Sequence, residues 1–137
     1  MLTKEEVKEL LDKGWNELVE AMSDRLVPKS DEIRELVCSF GIPDWAYGYA
    51  VLVDDEPKQI TRDLASKDAV NALQYAIHLD KKPTEETRNG AMQLPYTAYL
   101  YASMVDKSSR EDTKKASSTI GKIGKMYELW ENSLKKI

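Results

Sequence analysis

Residues 2–26 read LTKEEVKELLDKGWNELVEAMSDRL, which is the clearest helical pattern in the chain. Their apolar residues recur every three or four positions, as on one face of an α-helix. Thr3 and Glu6 have the spacing of a capping box, in which each side chain bonds the other residue's backbone N–H at the helix start. Pro28 ends the pattern. The stretch therefore predicts one long amphipathic helix.

Further helices are predicted along the rest of the chain. Ser30 starts a second helix, which ends before Gly41 and Pro43. Beyond residue 65, helix starts are predicted at Ser66, Thr84 and Pro95, ahead of the last helix. No internal repeat is apparent in the sequence. We therefore expect a mainly α fold with a single helical domain over residues 1–137, built as a compact bundle of about five helices.

Residues 44–62 are ambiguous between strand and helix. Every second residue from Trp45 to Val53 is aromatic or β-branched, a period of two in side chains that favour strands, and a turn-like Asp54-Asp55-Glu56-Pro57 follows. A short β-hairpin around residues 45–62 is the favoured prediction. Pro43 could instead open a helix through the same residues.

The last helix is predicted to run unbroken from Ser108 to the C-terminus. Its apolar residues form a seam with the spacing of a packed or coiled-coil helix: Ala116, Ile120, Ile123, Tyr127, Trp130, Leu134 and Ile137. Lysines project opposite this seam, and four of them are our candidate face for an anionic partner: Lys114, Lys115, Lys122 and Lys125. The alternatives are a merely solvated face and a homodimer through this C-terminal helix.

The charge of the chain is divided between its two halves. The formal net charge is −4 at pH 7. Residues 1–65 carry 15 acidic and 8 basic side chains, whereas residues 66–137 carry 9 acidic and 12 basic ones. Such a division orients a protein near a charged partner without naming that partner.

Composition argues against several classes of protein. With 42% hydrophobic and 32% charged residues, the chain resembles neither a disordered nor a membrane protein. The lone cysteine, Cys38, cannot form an internal disulfide, and the acidic start of the chain does not resemble a signal peptide. We therefore expect a cytoplasmic protein that does not bind a membrane.

The sequence contains no motif that predicts catalysis, a metal or a cofactor. His78 is the only histidine, and Asp54-Asp55-Glu56 lacks the spaced ligands of a calcium loop. Cys38 and His78 could meet in space as a nucleophile and its base, although neither has a local signature. We expect no enzyme, no metal and no cofactor, and a Cys/His or carboxylate site that is not visible as a motif is the alternative.

Aromatic residues favour a binding function. The chain has seven tyrosines and three tryptophans against one phenylalanine, and Tyr and Trp dominate the hot spots of protein interfaces. Trp45, Tyr47 and Tyr49 lie beside two expected loops and form our candidate protein interface, although such residues also fill the edges of cores. The sequence thus predicts a non-enzymatic protein that docks on another macromolecule as an adaptor, inhibitor or assembly factor. The alternative is a nucleic-acid or nucleotide-binding protein that uses the basic face of the last helix.

Overall fold

The chain folds as two units that meet in sequence between Ala65 and Ser66, where its charge also changes. The computed structural model describes residues 1–136, and within them it contains ten α-helices and no strand. The mainly α prediction is confirmed. The predicted count of about five helices is wrong, because the first and the last predicted helices are each broken in two and the segment predicted as a hairpin forms two more helices. The single domain over residues 1–137 stays a prediction, and each unit is described by itself.

Unit 1, residues 1–65, contains five helices: α1 (Lys4–Lys13), α2 (Trp15–Ser23), α3 (Asp31–Cys38), α4 (Pro43–Tyr49) and α5 (Gln59–Ala65). The capping box is confirmed, since the Thr3 N–H donates to Glu6 Oε1 at 3.1 Å and the Glu6 N–H donates to Thr3 Oγ1 at 3.2 Å. The single long helix is wrong. Gly14 has a φ of 138°, which glycine alone adopts readily, and this residue separates α1 from α2.

The β-hairpin predicted around residues 45–62 is wrong. Pro43 occupies the first turn of α4, and the chain continues beyond Tyr49 as a π-helical segment, Ala50–Asp54. The buried side chains of this stretch follow a helical spacing: Ala46, Tyr49, Ala50 and Asp54. Packing against the unit's core therefore prevailed over the strand preference of alternate residues.

Unit 2, from Ser66 onward, contains a further five helices: α6 (Ala69–Tyr75), α7 (Glu85–Ala91), α8 (Pro95–Leu100), α9 (Glu111–Ser117) and α10 (Gly121–Leu134). Two π-helical segments extend α6 and α8, over Ala76–Asp80 and Tyr101–Asp106. The start at Thr84 is confirmed, since its Oγ1 accepts from the Thr87 N–H at 3.3 Å. The start predicted at Ser66 falls at Asp68 instead, whose carboxylate accepts from the Asn71 N–H at 2.9 Å.

The unbroken last helix is also wrong. The chain turns between Ser117 and Gly121, and α10 packs back against α9 and α8. Tyr127 explains the turn, because its buried hydroxyl accepts a hydrogen bond from the Arg110 N–H at 3.0 Å, just before α9. Among the described residues the apolar seam is interrupted at this turn, and its last predicted member, Ile137, lies outside them. A homodimer through the C-terminal helix stays a prediction.

A repeat of 26 residues, which we did not find by inspecting the sequence, recurs in both units. Four fully buried tyrosines stand at this interval: Tyr49, Tyr75, Tyr101 and Tyr127. Three buried or mostly buried aspartates follow them at the same interval: Asp54, Asp80 and Asp106. The residue after each of these aspartates has a left-handed backbone: Asp55, Lys81 and Lys107, with φ of 50°, 55° and 55°. The expectation of no internal repeat is therefore wrong.

Candidate functional site

Buried tyrosine hydroxyls hold the helix starts in both units. In unit 1 the Tyr49 hydroxyl donates to the Pro28 carbonyl at 2.8 Å and accepts from the Ser30 N–H at 3.2 Å, just ahead of α3. In unit 2 the Tyr101 hydroxyl accepts from the Thr84 N–H at 3.0 Å and lies 2.8 Å from Thr87 Oγ1. A buried hydroxyl needs such partners, because leaving it without one costs free energy. These tyrosines serve the scaffold.

Two guanidinium–carboxylate pairs lie at the ends of two π-helical segments, Ala50–Asp54 and Tyr101–Asp106. Arg34 Nε and Nη2 donate to the two carboxylate oxygens of Asp54 at 2.8 and 2.6 Å in unit 1. Arg88 donates to Asp106 in the same bidentate way, at 3.1 and 2.6 Å, in unit 2. Each arginine also lies over the ring of the repeat tyrosine, Arg34 at 5.8 Å from the Tyr49 centroid and Arg88 at 5.6 Å from that of Tyr101. These charges are satisfied within each unit and are not presented to a partner.

The three residues of the candidate protein interface do not lie on one exposed surface. Tyr49 is fully buried, and burial raises the pKa of its phenol. Trp45 and Tyr47 are half-buried. The Trp45 ring stacks on Trp15, with centroids 5.1 Å apart and planes 7° apart. Tyr49 belongs to the core, and an interface that uses Trp45 and Tyr47 stays a prediction.

The four lysines of the candidate anionic-partner face belong to two helices rather than one. Lys114 and Lys115 lie on α9, whereas Lys122 and Lys125 lie on α10. Lys114 is engaged by Glu131, with Nζ and Oε1 2.8 Å apart, and this hydrogen bond raises the pKa of the lysine. The other three are exposed. The prediction placed these four lysines in one sector of a single helix, and the structure does not contain that arrangement.

The structure gives no support to a nucleophilic cysteine. Burial raises the pKa of the Cys38 thiol to about 11, so its reactive thiolate form is scarce at neutral pH. Cys38 belongs to unit 1, whereas His78 lies exposed on unit 2. Among residues 1–136, no three His, Cys, Asp or Glu side chains gather closely enough to hold a metal ion.

Basic side chains pair with two carboxylates of the Asp54-Asp55-Glu56 stretch. Asp54 is paired with Arg34, and Glu56 Oε1 lies 2.9 Å from Lys29 Nζ and 3.0 Å from Lys58 Nζ. Hydrogen bonds from these two lysines lower the pKa of Glu56 to about 2. The stretch ends the π-helical segment of unit 1 and carries ion pairs with its own chain.

A cleft in unit 2, which we call the lysine cleft, brings together residues that belong to neither of the candidate sites predicted from the sequence. Its volume is about 370 Å³. Its lining consists of Ala76, Ile77, Lys81, Lys82, Pro83, Met104, Val105 and Lys107. It therefore lies between the ends of two π-helical segments, with an apolar floor and three exposed lysines on its rim. The signal that could have found it is the repeat itself, since Lys81 and Lys107 are 26 positions apart.

The backbone holds two of these lysines in an uncommon conformation. Lys81 and Lys107 both have φ of 55°. The Lys81 N–H donates to the Ala76 carbonyl at 2.8 Å, five residues back, which is the hydrogen bond of a π-helix. Glycine or asparagine is the usual residue at such a left-handed helix end. A lysine at such a position costs the fold some free energy relative to glycine, because its Cβ is crowded in the left-handed conformation.

Unit 1 has a larger groove of mixed charge. Its volume is about 480 Å³, and its charged lining residues are Arg25, Lys29 and Asp55. Both signs meet there, and Lys29 is already paired with Glu56. The lysine cleft differs from this groove because its charged lining residues all have one sign.

Comparison with known proteins found no match for this chain, whether among family models, curated proteins or solved structures. None of the helices in the described part of the chain combines the length and the apolar character needed to cross a membrane.

Proposed function

We propose that this chain is a non-catalytic binding protein that acts by docking on another protein. The observation that carries the proposal is the lysine cleft, where an apolar floor is exposed beside three lysines. An apolar floor with a charged rim is the composition of a binding surface, because burial of apolar area supplies affinity and charge supplies orientation.

The use of buried polar groups supports the same proposal. Tyr101 and Arg88 are engaged in holding helices, with Thr84 and Asp106 as their partners. Such groups stabilise a scaffold and leave the outer faces to carry the function. Proteins built from repeated helix pairs commonly use their surfaces to bind partners.

Site-specific photocrosslinking tests this function. Benzoylphenylalanine replaces Met104, which lines the lysine cleft and is half exposed, and a control variant carries it at Leu129, which is 66% exposed and does not line the cleft. Both proteins are irradiated in cells of the native host. We expect a discrete, protease-sensitive adduct from position 104 that the control position does not give.

Two outcomes would contradict the proposal. Equal or absent adducts at both positions would show that the cleft docks nothing under native conditions. A nuclease-sensitive adduct would favour the alternative, a nucleic-acid-binding protein, over a protein-docking one.

A further inference from the structure

The chemistry of the lysine cleft specifies its partner more closely, in an inference that rests on the proposed function. We propose that the lysine cleft binds an acidic peptide segment of a partner protein. One apolar side chain of the peptide packs on the floor formed by Ile77, Met104 and Val105. Its neighbouring carboxylates pair with the ammonium groups of Lys81, Lys82 and Lys107.

Charge complementarity carries the choice of an acidic partner. None of the three rim lysines forms an ion pair with another residue in the described part of unit 2. The carboxylates next to Lys81 and Lys107 in sequence, Asp80 and Asp106, do not line the cleft, and Asp106 is bound by Arg88. The acidic residues that follow Pro83, Glu85 and Glu86, do not line the cleft. The rim therefore presents uncompensated positive charge to whatever enters.

The floor favours a peptide over a nucleic acid. A phosphate backbone would leave the apolar side chains of the floor uncovered, and the lining has no aromatic ring on which a base could stack. An apolar side chain between carboxylates uses the floor and the rim together. Met104 suits this role, because an unbranched, flexible side chain adapts to the shape of an incoming one.

The left-handed backbone provides an unusual test variant. Replacing Lys81 and Lys107 by glycine removes two rim charges and also relieves their conformation, because glycine adopts a positive φ without strain. We expect K81G/K107G to fold and to melt at a higher temperature than the parent. A loss of binding in this variant therefore cannot be attributed to unfolding.

Peptide selection is the experiment. A phage library of random twelve-residue peptides is panned on the parent protein, and enriched peptides are measured by fluorescence anisotropy against the parent, K81G/K107G and K122Q/K125Q. The last variant removes the same charge from the exposed lysines of α10. We expect enriched peptides to combine Asp or Glu with a bulky apolar residue. Their affinity should fall about tenfold or more in K81G/K107G, as for lost charge pairs, and under about threefold in the control.

Several outcomes overturn the inference. These are the absence of enriched peptides, enrichment of sequences without acidic residues, and equal affinity for K81G/K107G and the parent. Binding of a twelve-nucleotide oligothymidylate that K81G/K107G abolishes would assign the cleft to nucleic acid instead. A protein adduct at position 104 together with any of the first three results would support the docking function. It would refute only the inference that the partner segment is an acidic peptide.

Discussion

The backbone N–H of Thr84 donates to the hydroxyl of Tyr101 at 3.0 Å, across 17 residues of chain. Arg110 and Tyr127 make the same bond over the same separation and at the same distance. The start of each helix in these pairs is thus held by the helix that follows it. This relationship, repeated along the chain, gives the fold its most direct tests.

Removal of the Tyr101 hydroxyl should destabilise the protein. Tyr101→Phe leaves the Thr84 N–H and the Thr87 hydroxyl without their buried partner. We expect a loss of about 1–3 kcal/mol in the free energy of unfolding, measured by urea denaturation. Tyr96→Phe is the matched control, because Tyr96 is half exposed and should change stability by less than about 0.5 kcal/mol. Equal effects of the two substitutions would contradict the assigned role.

Gly90 should not tolerate a side chain. A Cβ at this position would lie 2.6 Å from Ala72 Cβ and would also collide with the Ser66 carbonyl oxygen. Gly90→Ala should therefore cost about 1–3 kcal/mol of stability by overpacking. Gly121→Ala, where a Cβ meets nothing within 4 Å, should be neutral or stabilising by up to about 1 kcal/mol. A stable Gly90→Ala protein would show that α6 and α7 are farther apart than described.

Removing one partner of the buried ion pair in unit 1 should destabilise the protein more than replacing both partners. Asp54→Ala leaves Arg34, whose side chain is 5% exposed, without its bidentate partner. We expect a loss of about 3–5 kcal/mol, and recovery of most of it in Arg34→Met/Asp54→Leu, since two apolar side chains leave no unpaired charge. Glu32→Ala, which breaks the exposed pair with Lys4, should leave the melting temperature unchanged within error. If Asp54→Ala proved as mild as Glu32→Ala, the pair would have to be solvated.

The Cys38 thiol should titrate late. Burial raises its pKa to about 11 from the ordinary 9.0, so the protonated thiol persists in the folded protein at pH values where a free cysteine has ionised. Only the thiolate reacts with iodoacetamide. The alkylation rate of the folded protein should rise about tenfold per pH unit from pH 8 to 10, since one pH unit changes the thiolate fraction tenfold. In urea the rate should reach half of its maximum near pH 9 and level off above it, and the same pH dependence in the folded protein would contradict the burial of this thiol.

Local rules predicted several helix starts, although not the one near Ser66, whereas tertiary contacts decided what the sequence left ambiguous. Thr3, Ser30 and Thr84 each cap a helix as expected, because capping depends on residues within one turn. The hairpin prediction failed because it weighed strand preference in residues 45–62, and the burial of Tyr49 favoured a helix. The sequence alone did not show that Tyr49 would be buried in the core rather than lie beside a turn.

The repeat escaped notice because few of its positions keep their residue. Tyrosine recurs at every interval, but the left-handed position changes from Asp55 to Lys81 and Lys107. The lysine cleft depends on that change, so it too was missed. The lysine face of the last helix was misplaced for a related reason. The Tyr127 hydroxyl bonds the backbone just before α9, so α10 packs back against α9, and helical periodicity cannot predict such a contact.

The tyrosine hydrogen bonds join residues that are close in sequence, which has a consequence for folding during synthesis. A loop of about 17 residues closes at little entropic cost, and folds dominated by such near neighbours form in microseconds to milliseconds. Ribosomes add about 5–20 residues per second, so each helix start waits about one to three seconds for synthesis of the tyrosine that binds it. The nascent chain can therefore lock its helices in order as they emerge, before the rest of the polypeptide exists.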